Sequence, residues 1–234
     1  FCVKNADVVW NVSPRIAEGR KNLHGINFSD KQKVVPIGVW SDKIKRRTFA
    51  EIKNHQLLFL GHLLEKQGVQ LVIDAIPDII KKIPDFHFLV IGGGEYDKIL
   101  RNKVEIMKLN KYVTFSGWIK DRKRLDRLLS ESAFAIAPYD PSQAEYTYYA
   151  DPTKIKDYLS AGLPVIMTSV PYNAQKIQDK KCGYIVNYNK ESIAKRVIDL
   201  MKDNVKLMNY RENAIKYVKQ YDWMLIFSTA LQSL

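Results

Sequence analysis

The densest concentration of usable chemistry lies in Asp151-Pro-Thr-Lys-Ile-Lys-Asp-Tyr-Leu-Ser-Ala-Gly162. The segment predicts a helix, with Asp151 as N-cap, Pro152 at the first helical position and Gly162 as a left-handed stop. Ile155, Tyr158 and Leu159 form its apolar face. Lys154 falls in the first turn, where free backbone N–H groups and the helix dipole already favour an anion. Asp157 lies three residues on, on the same face and about 5.4 Å further along the axis. A cation over phosphates with a carboxylate one turn deeper suits a nucleotide, Lys154 serving the diphosphate and Asp157 the ribose hydroxyls. The same spacing also fits an ordinary i,i+3 salt bridge on a well-capped surface helix.

Two glycine-bearing stretches could complete such a site. Lys66 stands just before Gly68 in a loop after an apolar run, where an ammonium could reach the same phosphates or simply be solvated. Gly92-Gly93-Gly94 resembles a phosphate loop, but no G-x-G-x-x-G follows and no Lys-Ser/Thr completes a P-loop. It reads as a tight strand-to-helix turn that leaves a ligand room.

Elements to hold these residues are legible from residue 56 onward. Short apolar runs at 56–60, 86–91, 112–115, 133–137, 164–168 and 183–186 each close on Gly, Pro or a polar turn, as strands buried on both faces do. A helix is predicted over 68–82, from Val69, Val72, Ile73, Ile76, Ile79 and Ile80 at helical spacing, stopped by Pro84. Beyond 189 the pattern is helical, with breaks near Asp203-Asn204 and Tyr221-Asp222. Strand and helix in alternation imply an α/β fold: a Rossmann-like doubly wound parallel sheet of about six strands with C-terminal helices. In such a sheet ligands bind beyond the strand ends where the order reverses, which points to Gly61–Gly68 and Pro138–Asp151. The first fifty residues read separately: ADVVWNV as a strand, Ser13-Pro14 as a helix start and VVPIGVW as a second short strand. That unit is too small to bury its own core and must pack on the main domain or on a parent.

Composition narrows the class. The 234 residues carry a net charge of +12. Residues 1–50 hold ten Lys/Arg against four Asp/Glu, with peaks at Lys43–Arg47 and, further on, Lys120–Arg127. A positive field favours nucleotide phosphates, an anionic membrane surface or nucleic acid. Cys2 and Cys182 lie far apart and the four histidines are scattered, which argues against a disulfide framework and a zinc site and fits a reducing cytoplasm. No stretch reaches the length of a membrane span, and the apolar opening has neither basic n-region nor cleavage site. The absence of an initiator Met suggests an excised piece.

The order of motifs resembles glycosyltransferase family 4 (group 1), of GT-B fold. LLFLGHLLEKQGVQLVIDAI is similar to the family's strand, Gly-Arg, Lys-x-Gly and helix, and FHFLVIGGGEYDKIL to its second strand with a Gly-x-Gly turn. VTFSGWI resembles V-x-F-x-G-x-V, and PTKIKDYLSAGLPVIMT resembles P-x-K-x-x-E-Y-x-x-x-G-x-P-V-I. DVVWNVSP with VVPIGVW is similar to the end of the N-terminal domain and the linker, and YDWMLIFSTALQSL to the closing crossover helix. The resemblance implies a remnant of the acceptor domain and linker over 1–48, a nucleotide-sugar-binding domain over 49–220 and a crossover helix over 221–234.

It also implies roles. Lys66, Lys154 and His62 would hold the donor diphosphate, Gly61 would open the pocket, and backbone near Trp118 and Ile119 would meet the base. Asp157, beside Thr153, would hold the ribose. Three departures stand out: His62 replaces the family Arg, Asp157 replaces its second Glu, and Tyr149 falls on its first Glu, for which Glu145 or Asp151 could substitute. Family members transfer a sugar from a nucleoside diphosphate sugar to an acceptor hydroxyl, usually with retention and without metal. A UDP-sugar or GDP-sugar donor, no cofactor, a glycan or lipid-linked acceptor and contact at the inner membrane face follow as expectations. The lack of an Asp-x-Asp pair agrees with metal independence. Three rivals are a GT-B sugar-nucleotide epimerase using Glu145, Asp151 or His62, a degenerate partner subunit, and a basic nucleic-acid module hinted at only by Trp118 beside Lys120–Arg127. The strand–helix alternation favours a transferase with no nucleic-acid partner.

Overall fold

The computed structural model describes residues 2–25, 30–143 and 145–232, with the side chain of Glu145 outside the described residues. An N-terminal segment holds α1 (Cys2–Asn5), β1 (Val9–Asn11), α2 (Pro14–His24) and β2 (Gln32–Val34), and β1 pairs in parallel with β2. Strands and helices then alternate: β3 (Lys53–Leu60), α3 (Val69–Ile80), β4 (His87–Ile91), α4 (Asp97–Ile106), β5 (Val113–Phe115), α5 (Arg122–Glu131) and β6 (Ser132–Ala137). Next come α6 (Glu145–Tyr149), α7 (Thr153–Ser160), β7 (Val165–Met167), α8 (Ala174–Asp179) and β8 (Gly183–Ile185). The chain closes with α9 (Lys190–Met201), α10 (Asn204–Val218) and α11 (Trp223–Gln232).

The main sheet has the order β5-β4-β3-β6-β7-β8 with every neighbouring pair parallel. Its order reverses between β3 and β6, the doubly wound arrangement that the alternation predicts. The strands inside the sheet feed both layers because successive side chains point to opposite faces. Leu57, Phe59, Phe88, Val90, Phe134 and Ile136 meet the core shared with α3, α4 and α9. Leu58, Leu89, Ile91, Ala135, Val165 and Met167 meet the core shared with α5, α7 and α8. Among the described residues no helix is long and apolar enough to cross a membrane.

The N-terminal segment packs on this domain. Arg15 Nη1 donates to the carbonyls of Tyr148 at 3.1 Å and Val170 at 2.6 Å, and its guanidinium lies 3.9 Å over the Tyr148 ring. The Val39 N–H donates to Tyr221 O at 2.8 Å, which joins the linker to the start of α11. VVPIGVW is not the strand expected of it. Pairing with β1 ends at Val35, whose N–H donates to Asn11 O at 2.8 Å, because the next ladder donor, the Ile37 N–H, is taken by Asp151 Oδ2 at 2.8 Å. A second expectation fails at α7: its N-cap position is Pro152, not Asp151, whose carboxylate is drawn instead into a buried ion pair with Lys156.

At one glycine the backbone is essential. Gly68 has φ +74°, and a Cβ there would stand 1.9 Å from Pro138 O, in the loop after β6. Gly68→Ala is therefore expected to cost about 2–3 kcal/mol by combining left-handed strain with a backbone clash. Urea unfolding checks this, and a loss under about 1 kcal/mol, the usual mutational cost, would refute it.

Candidate functional site

The loops that follow β3 and β6 lie against each other at the point of reversal. The Asp140 N–H donates to Lys66 O at 2.9 Å, beside the Gly68–Pro138 contact. Into this junction α7 delivers Lys154. Its Nζ donates to Gln67 Oε1 at 2.6 Å and lies 4.4 Å from the Phe59 ring centre and 5.0 Å from that of Tyr139. Gly61 lies directly against this ammonium, and a Cβ there would come within 2.7 Å of Lys154 Nζ. Among the described residues no carboxylate pairs with Lys154, and burial pushes its ammonium down to about 7. A cation held by one amide oxygen and two ring faces lacks a counter-charge, and a bound anion would supply it.

The same helix pins the strand that carries this loop. The Tyr158 hydroxyl, fully buried, accepts from Leu60 N–H at 2.7 Å and donates to Leu60 O at 3.2 Å. The end of β3 and the start of α7 are thereby held in one register.

Asp157 does not pair with Lys154, so the surface salt bridge that the spacing also allowed is not formed. Asp157 Oδ1 instead accepts from Arg122 Nη2 at 3.0 Å, while Arg122 Nε reaches Asp126 at 2.7 Å. Burial pushes the Asp157 carboxyl up, Arg122 opposes that rise, and Asp126 adds to it. Asp157, Arg122 and Thr153 line a cleft of about 370 Å³ with Gly38, Trp40 and Trp223 of the linker and α11.

The third part of the site is aromatic. Trp118, 65% exposed, meets His62 edge-on with ring centres 5.8 Å apart. Gly93 lies under the indole, where a Cβ would be 2.6 Å from its Nε1, and Gly92 packs on Gly61 O. The glycine run, expected to leave room for a ligand, thus serves loop-to-loop contact. Ile119 is partly buried against the second core cluster. Lys66 Nζ stands 5.5 Å from the Tyr146 ring centre.

The structure brings Gly61, Lys66 and Lys154 to one junction, His62 and Trp118 to its rim, and Thr153 and Asp157 to the adjoining cleft. It sends Tyr149 and Asp151 elsewhere. The Tyr149 ring packs on Gly19 of α2, and its carbonyl accepts from Ser13 Oγ. Asp151 is consumed by Lys156 and by the Ile37 N–H at 2.8 Å. The Glu145 side chain lies outside the described residues. Gln67, Arg122 and Tyr158 join the site without having been singled out as site residues. Gln67 adjoins Lys66 in sequence, whereas Arg122 lies within a basic run that carries no sign of its carboxylate partners.

Comparison with known proteins covers nearly the same span. A family model described as glycosyl transferases group 1 matches residues 41–220. Spore coat protein SA of Bacillus subtilis is 29% identical over 174 residues, 70% of this chain and 43% of its own length. A phosphatidyl-myo-inositol mannosyltransferase of Mycobacterium tuberculosis is 20% identical over 182 residues, 75% of this chain and 46% of its own. The chain spans about half the length of the curated relatives it matches. Among solved structures, the pneumococcal O-GlcNAc transferase GtfA in complex with UDP and GlcNAc aligns with TM-score 0.77 at 16% identity, over 99% of this chain and 45% of that one. Anabaena HepE in complex with UDP and glucose aligns with TM-score 0.76 at 16% identity, over 98% and 64%. At these identities the structural likeness establishes the fold.

Proposed function

The chain belongs to the group 1 glycosyl transferases, and on that premise we propose that it is the donor-binding half of an enzyme that moves a sugar from a nucleoside diphosphate sugar to an acceptor hydroxyl. The observation that carries this reading is Lys154, a buried cation at the reversal point of the sheet with no carboxylate partner among the described residues. The departing diphosphate gathers negative charge as the sugar–phosphate bond breaks. Lys154, Lys66 and His62 stabilise that charge from fixed positions, the principal way such a site lowers a barrier. Asp157 takes the ribose hydroxyls once they compete with Arg122, and Trp118 offers its exposed face to the base. Transfer is metal-independent in this reading, because cationic side chains supply the charge that a metal would, and retaining, as is usual in the family that the chain resembles.

Residues 1–48 and 221–234 belong in this scheme to the acceptor-side half and the crossover. UDP is the favoured nucleotide, since the two structural relatives above are UDP complexes. The acceptor is a glycan or lipid-linked glycan. A second reading, a partner subunit that keeps the fold without turnover, draws on Tyr149, whose ring is committed to Gly19 where the family pattern has an acidic residue.

Calorimetric titration with UDP, GDP and ADP, with and without EDTA, tests the proposal. Selective binding of one nucleotide, indifferent to EDTA, is the expected result; binding of none would favour the partner subunit. Asp157→Asn is expected to weaken UDP about tenfold, the worth of a charged hydrogen bond. The same substitution should leave the 2′,3′-dideoxy analogue unchanged. An equal loss for both ligands would remove Asp157 from the ribose.

A further inference from the structure

The two basic runs are distant in sequence but meet in space. Lys43, Lys45 and Arg47, from the segment before β3, and Lys123 and Arg127, from α5, line one cleft of about 280 Å³. Its lining includes one carboxylate, Asp126, which already faces Arg122 Nε at 2.7 Å. Arg47 is engaged with Glu51 at 3.4 Å and Glu131 at 3.5 Å, and Lys43 rests 4.3 Å over the Trp40 ring. Lys45, Lys123 and Arg127 are exposed and form no ion pair among the described residues. Bringing these cations together costs repulsion that solvent and salt only partly screen, and a bound anion relieves it. The cleft shares Lys43 and Asp126 with the cleft that holds Asp157 and Arg122, so a ligand seated in one extends toward the other.

We propose that this cleft is an anion site, distinct from the donor site, which binds a phosphate group carried by the acceptor. Naming the acceptor rests on the transfer reading above; the phosphate chemistry of the cleft does not. A concave site lined from two segments suits a discrete phosphate or phosphodiester better than a flat lipid surface, which would want its cations spread on one face.

The test uses tripolyphosphate as probe and charge reversal at two exposed lysines that make no core contact. Lys154→Met first disables the donor site. Tripolyphosphate should still bind that variant saturably at one site, and adding Lys45→Glu and Lys123→Glu should weaken it at least about tenfold, as expected when charge-assisted contacts are lost. The Lys45→Glu/Lys123→Glu chain with Lys154 intact should bind UDP like the parent. Equal tripolyphosphate binding with and without the reversals, or none that saturates, overturns the proposal. So does a pattern in which the reversals abolish binding to phosphatidylglycerol vesicles but leave tripolyphosphate unchanged, because the face would then be a membrane patch. Failure of UDP to bind the parent chain would defeat the donor reading alone and leave the tripolyphosphate comparison to decide the cleft.

Discussion

Lys154→Met should abolish measurable UDP binding while raising the thermal midpoint of the chain. The two effects have one origin. The Lys154 ammonium is held among Phe59, Tyr139 and Gln67 with no counter-charge among the described residues, so the free protein bears a desolvation cost that a bound diphosphate would offset. Methionine fills a similar volume without the charge. A loss of at least about a hundredfold in UDP affinity is expected from removing a buried charge-assisted contact. A gain of about 2–4 °C corresponds to recovery of 1 kcal/mol in a domain of this size.

The pH dependence follows with a definite sign. Lys154 titrates near 7 in the folded chain and near 10.5 when unperturbed, so between those values the unfolded chain binds the extra proton. The stability of the parent therefore rises with pH across that window. Its deficit relative to the Met variant is full below about 7 and gone above about 10.5. UDP affinity runs the other way, falling as pH climbs past about 7 and the cation is lost, and the Met variant lacks that slope. Calorimetric melting and UDP titration across this range read both. A Met variant that melts lower than the parent at neutral pH would overturn the account of Lys154 as a strained cation.

The largest expected loss of stability is at Asp151. Both members of the Asp151–Lys156 pair have side chains with no exposed surface. Lys156 also donates to Ile37 O while Asp151 accepts from Ile37 N–H, so the pair clasps the linker to α7. Asp151→Ala leaves an uncompensated ammonium in the core and should cost about 3–5 kcal/mol in urea unfolding. Asp151→Leu combined with Lys156→Met should recover most of that, since an apolar pair avoids the cost of burying charge. A single-site loss under about 1 kcal/mol, the usual mutational cost, would mean that the pair is solvated in solution.

Much of the sheet was legible because its strands are buried on both faces. FHFLVI and AFAIA have no polar face to confuse with a helix, and both pair as β4 and β6. The reversal point between β3 and β6 followed from strand order alone and pointed to Gly61–Gly68, which holds Lys66, while Lys154 was legible from the helix that begins after Asp151. VVPIGVW misleads because its apolar content reads as a strand, whereas the Ile37 N–H that would extend the ladder is taken by the Asp151 carboxylate. Asp151 misled for a subtler reason. An Asp before Pro at a helix start is a good cap, but Lys156, in a lysine-rich chain, gave no sign of being buried.

The sequence by itself therefore determined the elements of the main sheet, their order and the end of the sheet to which the donor proposal points, because those depend on local periodicity and on the hand and order of strand packing. Only the tertiary structure decided which charges meet. Lys154 and Asp157 share a helix turn, yet one turns to Gln67 and the other to Arg122. Lys43, Lys45 and Arg47 meet Lys123 and Arg127 because the segment before β3 lies beside α5 in space, though not in sequence. Side-chain partnership depends on through-space distance and desolvation, and neither is written in the spacing of residues along the chain.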